Sequence, residues 1–177
     1  MRARAAASLT GACAAVAMLT APAPGADSSL RDLPALLHQI APAARRLAIL
    51  WDPGVPEGEG AFYTVWDAAR GQGLNPSGVA LAGVEGLDAV LVEVEGQRAE
   101  FLILVSGGLG EDGLTRLAAF ATAHALPAAS AQRAFTAAGG LLSLGSDGYL
   151  VVNLSAARAL GLTVPPDILQ RAREVLP

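Results

Sequence analysis

Three short segments carry the polar groups that could hold a small solute: Asp52-Pro53-Gly54, Ser106-Gly107-Gly108 and Ser130-Ala131-Gln132. Their hydroxyls, carboxylate, amide and glycine-exposed main-chain N–H groups can donate to or accept from a polar ligand. Asp52, Ser106, Gly107, Ser130 and Gln132 are therefore the candidate contacts. The same residue types also serve ordinary strand-to-helix turns for backbone reasons. Nothing around them is arranged for catalysis. No G-x-S-x-G surrounds Ser106, Ser143 or Ser146, so no serine has the sequence context of a nucleophile elbow. His38 and His124 are the only histidines, and neither has a second strong metal ligand at a usual spacing. His124 falls in the last turn of a predicted helix, where partial positive charge is favoured. Glu93, Glu95 and Glu100 lie on or beside a solvated helix edge and form no acid–base pair. The run Gly108 to Gly113 matches G-x-G-x-x-G. Its Glu111 and Asp112 suit a helix N-terminus but repel a pyrophosphate there, and no acid stands about 20 residues on at a strand end to hold a ribose. The sequence thus offers no catalytic residue, no metal site and no cofactor site.

The elements that must position these loops follow from apolar periodicity. Residues 28–40 read as a helix, capped by Ser28 or Ser29, with Leu30, Leu33, Leu37 and Ile40 on one face. Residues 46–51 are a buried-type strand closed by Asp52-Pro53-Gly54. Helices follow over 57–72, with Phe62, Val65, Trp66 and Ala69 on one face, over 86–97, with Leu87, Val90, Leu91 and Val94 inward, and over 111–125, with Leu114, Leu117, Ala118 and Ala121 inward; a weak strand is expected over 77–81. Residues 101–105 are apolar throughout, as a strand covered on both faces must be. Short strands are expected at 126–130 and 141–144, with a helical turn at 132–137. Trp66 belongs to an inward helical face. Trp51 ends a strand beside Asp52, as core or as a cleft wall. Gly145 to Gly148 is a turn. A strand over 150–154, a short helix capped by Asn153 or Ser155, Gly161 as a left-handed stop, and a last helix after Pro165-Pro166 complete the chain. Ile168, Leu169, Ala172, Val175 and Leu176 share one face of that last helix. This alternation predicts an α/β fold, a single three-layer lobe with a mainly parallel sheet.

Composition narrows the partners. The 177-residue chain carries net charge −4, and its 12 basic residues are all Arg. No basic stripe exists, which excludes nucleic acid as a partner. Residues 1–26 read as a secretory signal: Arg2 and Arg4, then an apolar stretch from Ala5 to Leu19, then a small-residue segment. Cleavage is expected after Ala23 or Ala26. A membrane span needs about 20 apolar residues, and Pro22 and Pro24 cut this stretch short. Cys13, the only cysteine, lies within the apolar stretch, outside a lipoprotein-type position. The expected division is a signal peptide at 1–26 and one lobe at 27–177, periplasmic, with no stable membrane span after cleavage.

Several segments resemble a family of ABC-transporter substrate-binding proteins that includes tryptophan- and tyrosine-type binders. Residues 150–175, LVVNLSAARALGLTVPPDILQRAREV, resemble its C-terminal signature of strand, Asn-Leu, "ALGL", Pro-Pro and terminal helix. Residues 45–53, RRLAILWDP, resemble its "RRVAVLWNP". Residues 124–128, HALPA, resemble "HRLPA", and residues 137–145, AAGGLLSLG, resemble "EAGGLMSYG". The resemblance covers nearly all of residues 30–176 and implies half of a periplasmic-binding-protein type I-like fold. It implies non-enzymatic binding of a small, amino-acid-like solute, and an ABC permease or a second lobe, such as that of a homodimer, as partner. The alternative is a periplasmic accessory or protein-interaction module that keeps the lobe fold without ligand capture. The chain departs from the family pattern in two places. The family's first lobe would precede residue 28, and only Ser146 and Asp147 stand where the family has a helix and a Pro-rich crossover. The expectation is one lobe, with weak ligand capture on its own.

Overall fold

A computed structural model describes residues 26–177. The expected leader, apart from its last residue, and Cys13 lie outside the described residues. The strands are β1 (Arg46–Trp51), β2 (Asn75–Ala80), β3 (Phe101–Leu104), β4 (Ala128–Ser130), β5 (Leu142–Leu144), β6 (Leu150–Asn153) and β7 (Glu174–Leu176). The helices are α1 (Ala26–Ile40), α2 (Gly58–Gly71), α3 (Leu87–Gly96), α4 (Gly110–Ala123), α5 (Arg133–Ala137), α6 (Leu154–Ala159) and α7 (Pro166–Arg171). They form one sheet of order β2-β1-β3-β4-β5-β6-β7. The first five strands in that order are parallel. β6 runs antiparallel to β5, and β7 runs parallel to β6.

The central strands dictate the layers. Leu47, Ile49, Phe101 and Ile103 point to one face, and Ala48, Leu50, Leu102 and Leu104 to the other; all are buried. Strands apolar on both faces must be covered twice. α1, α2, α6 and α7 cover the first face through Leu33, Leu37, Val65, Ala69, Ala157 and Ile168. α3, α4 and α5 cover the second through Val90, Val94, Leu114, Leu117 and Phe135. The expected three-layer α/β lobe is what forms, and the helix faces expected for α2, α3 and α4 are the ones that pack. β2 lies at the edge of the sheet, where Pro76 is tolerated.

Two terminal expectations change. α1 begins at Ala26, so neither Ser28 nor Ser29 is its cap, and Ser29 is buried within the helix. The last helix stops at Arg171, with Ala172 already extended. Residues 174–176 form a strand instead, because β6 otherwise presents an unpaired edge. Arg173 N donates to Leu150 O at 2.9 Å, and Glu174 to Leu176 pair with Val151 to Asn153. The Glu174 carboxylate receives Arg133 Nε at 2.7 Å and Nη2 at 2.5 Å. Val175, assigned from periodicity to an inward helical face, is 43% exposed. At the N-terminal end of α6, Asn153 takes the cap role and accepts from Ala156 N at 2.9 Å. Ser155 instead donates to Pro177 O at 2.5 Å.

At the N-terminal ends of the strands, Glu100 acts as a staple. Its Oε2 accepts from Arg45 N at 2.7 Å and Arg46 N at 2.9 Å, while Oε1 meets Arg46 Nη2 at 2.9 Å. The Arg45 and Arg46 amides, with help from both guanidinium charges, hold its carboxyl below the ordinary carboxylate range. A depressed carboxyl pKa stabilises the fold above its unfolded value, and this is lost as pH falls through the folded value. Glu100→Ala should therefore cost roughly 1 kcal/mol near pH 7, after allowance for solvent screening. Denaturant titrations of both proteins should show that gap closing as the pH falls below about 4.5. A gap that stays constant down to pH 3 would contradict the staple.

Candidate functional site

β1 and β3 are neighbours in the sheet, but the chain leaves them toward opposite faces. α2 follows β1 onto the first face, and α4 follows β3 onto the second. The crevice outside their C-terminal ends is where ligands sit in open α/β sheets. Asp52 and Ser106 meet there. Asp52 N donates to Ser106 Oγ at 3.0 Å. Asp52 Oδ1 accepts from Gly54 N at 2.7 Å, closing a tight turn. Among the described residues, the Ser106 hydroxyl proton and Asp52 Oδ2 have no hydrogen-bond partner. Both residues are half-buried. The pair therefore offers one donor and one acceptor on two residues joined by that main-chain bond. Gly107 follows with φ 152°, and a Cβ there would touch Leu81 and Leu104 at 3.4 and 3.6 Å.

The other two candidates are placed differently. Ser130 is fully buried at the end of β4. Its hydroxyl donates to Leu104 O at 3.0 Å and accepts from Gln132 N at 3.1 Å. It ties the end of β4 to the end of β3. Gln132 is extended and half-buried just before α5. It lines a 690 Å³ cleft between α4 and α5, with Glu111, Thr115 and Arg133. The structure thus brings Asp52, Ser106 and Gly107 together, keeps Ser130 inside, and sets Gln132 on an adjacent cleft.

Trp51 is half-buried and packs against the core on the α2 side. Its ring lies 5.2 Å from Phe62, which lies 5.4 Å from Trp66. Sequence reading gave Phe62 and Trp66 a shared helical face but missed their link to Trp51. That link needs Gly78 of β2, whose Cβ would come within 2.8 Å of the Phe62 ring. The only sequence signal was a glycine inside a strand, which marks a close approach. In the G-x-G-x-x-G run, Gly113 is a packing residue: its Cβ would stand 2.9 Å from Leu109 Cβ. His124 packs at the end of α4, with its ring 4.2 Å from that of Phe120. His38 lies at the opposite rim, with Nε2 3.0 Å from Arg45 Nη1. Among the described residues there is no cluster of three or more His, Cys, Asp or Glu side chains that could hold a metal ion. Among them no helix is long and apolar enough to cross a membrane.

No protein-family model matches the chain, and no curated protein does. Solved structures do match its fold. An ABC domain from Streptococcus pneumoniae, crystallised in complex with L-Trp, aligns with TM-score 0.75 at 14% identity, over 84% of this chain and 60% of its own. A conserved domain protein from Vibrio cholerae aligns with TM-score 0.73 at 15% identity, over 82% of this chain and 60% of its own. A substrate binding protein with adhesive properties from Clostridium difficile, ligand-free and open, aligns with TM-score 0.67 at 15% identity, over 85% and 59%. The chain spans about 60% of the length of these structures. The fold is that of a lobe shared with ABC substrate-binding proteins.

The two serines should separate in mutagenesis. Ser130→Ala removes a buried hydroxyl with two main-chain partners and should cost about 1–3 kcal/mol in denaturant unfolding. Ser106→Ala loses one partly exposed bond and should cost about 1 kcal/mol or less. The reverse order would show that Ser106 is the structural hydroxyl.

Proposed function

We propose that this lobe is a solute-binding, non-enzymatic domain of an ABC-transporter substrate-binding protein, with an amino-acid-like ligand. The observation that carries this reading is the Asp52–Ser106 pair at the β1/β3 crevice, where a free donor and a free acceptor sit on two hydrogen-bonded residues. An amino acid presents the complementary pair, a carboxylate and an ammonium, on one carbon. Gly107 lets that group approach the main chain, Gln132 reaches the ligand from the adjacent cleft, and Ser130 holds the loop. The fold shared with the pneumococcal domain that binds L-Trp supports the same class. The domain is exported by residues 1–26, cut after Ala23 or Ala26, and works with a permease in the periplasmic space.

One lobe leaves one side of a ligand in solvent, whereas tight sites bury about 70–90% of it. Calorimetry of the purified monomer against an L-amino-acid panel should therefore give dissociation constants of roughly tens of micromolar or weaker, about 7 kcal/mol or less. Ser106→Ala should weaken that binding by about 1–3 kcal/mol. No heat with any amino acid at millimolar concentration would overturn the solute reading and favour an interaction module. A nanomolar ligand for a demonstrated monomer would overturn the open-face argument. Export has its own test: mass spectrometry of a periplasmic fraction should find a chain starting near Pro24 or Asp27. Intact Met1 recovered in the cytoplasm would contradict it.

A further inference from the structure

We infer that Gly58 is the positioning residue of this site: its missing side chain lets the first turn of α2 rest on the Asp52 peptide, and so fixes Ser106 with its donor outward. The inference rests on the reading of the β1/β3 crevice as the solute site. Gly58 opens α2 and is buried, although Glu57 and Glu59 beside it are exposed. It has no left-handed φ, so backbone conformation does not require glycine. Glycine is also a poor helix former relative to alanine. Space is the remaining reason. A Cβ at Gly58 would stand 2.4 Å from Asp52 O, 3.4 Å from Asp52 C and 3.0 Å from Ser106 Oγ. The nearest obstacle is main chain, and it cannot rotate away as a flexible side chain can. Asp52 O also accepts from Val55 N at 3.2 Å, and Gly58 N donates to Val55 O at 2.8 Å. Loop and helix start are thus one hydrogen-bonded unit.

The same helix supplies the contrast. A Cβ at Gly60 or Gly71 would meet nothing within 4 Å. Only at Gly58 does a methyl group have to push α2 and the Asp52 peptide apart. The bond in its path is Asp52 N–H to Ser106 Oγ. Without it, Ser106 is free to turn, and the donor is no longer tied to Asp52.

Residue-resolved hydrogen exchange on the purified protein tests this with Gly58→Ala, Gly60→Ala, Ser106→Ala and the double variant Gly58→Ala/Ser106→Ala. L-tryptophan titration by calorimetry runs in parallel. Gly58→Ala should speed exchange of the Asp52 amide by tenfold or more, with Ile103 and Ala129 unchanged, and weaken L-tryptophan binding by tenfold or more. Gly60→Ala should change neither. On the Ser106→Ala background, Gly58→Ala should add less than twofold to Asp52 exchange, because the bond is already gone. An unchanged Asp52 amide in Gly58→Ala overturns the inference. Loss of protection at Ile103 and Ala129 as well also overturns it, since that reports general packing. If wild-type protein does not bind L-tryptophan, that arm counts against the solute reading for this probe. The exchange arm still decides whether Gly58 sets the loop.

Discussion

Burial of β1 and β3 on both faces is the constraint from which the rest of this structure follows. Leu47 to Leu50 and Phe101 to Leu104 leave no side for water. Helices must cover both faces, and parallel strands supply them through their crossovers. Burial of large apolar side chains is worth about 1.5–3 kcal/mol each, and together they outweigh the few polar contacts at the rims. Because the chain departs from these two adjacent strands in opposite directions, it also leaves a crevice between them. The candidate site is a by-product of how the core is closed.

Polar chemistry then refines what the core has placed. At one rim, Glu100 gathers the amides that begin β1. At the other rim, the two serines divide the work. Ser130 spends both hydrogen-bonding roles on main chain. Ser106 accepts from Asp52 and keeps its proton. That difference separates a residue that builds the loop from one that can meet a ligand. The acids of the first turns of α2 and α4, Glu59, Glu111 and Asp112, favour their helix termini electrostatically. They also make these termini poor seats for a phosphate.

Much of this was legible in the sequence. Apolar runs located the central strands, and helical spacing found the inward faces of α2, α3 and α4. The Asp-Pro-Gly and Ser-Gly-Gly turns marked the loops that meet at β1 and β3. What escaped reading depends on contacts between distant segments. β7 is a strand because β6 has an open edge, and nothing in residues 172–176 announces that edge. β2 contains Pro76 and Gly78, both weak strand formers, and it is held by its register with β1. Ser130 and Ser106 look alike in sequence, and only burial tells them apart. Gly58 reads as a weak helix residue until Asp52 O is found beneath it.

The central claim is that a small solute meets this lobe at the β1/β3 crevice. Amide chemical-shift mapping during titration with individual L-amino acids tests it most directly. The account predicts saturable shifts centred on Asp52, Ser106 and Gly107, with smaller ones at Gln132. Shifts confined to the groove of Arg31, Tyr63 and Asp67 between α1 and α2, or no shift with any amino acid, would contradict it.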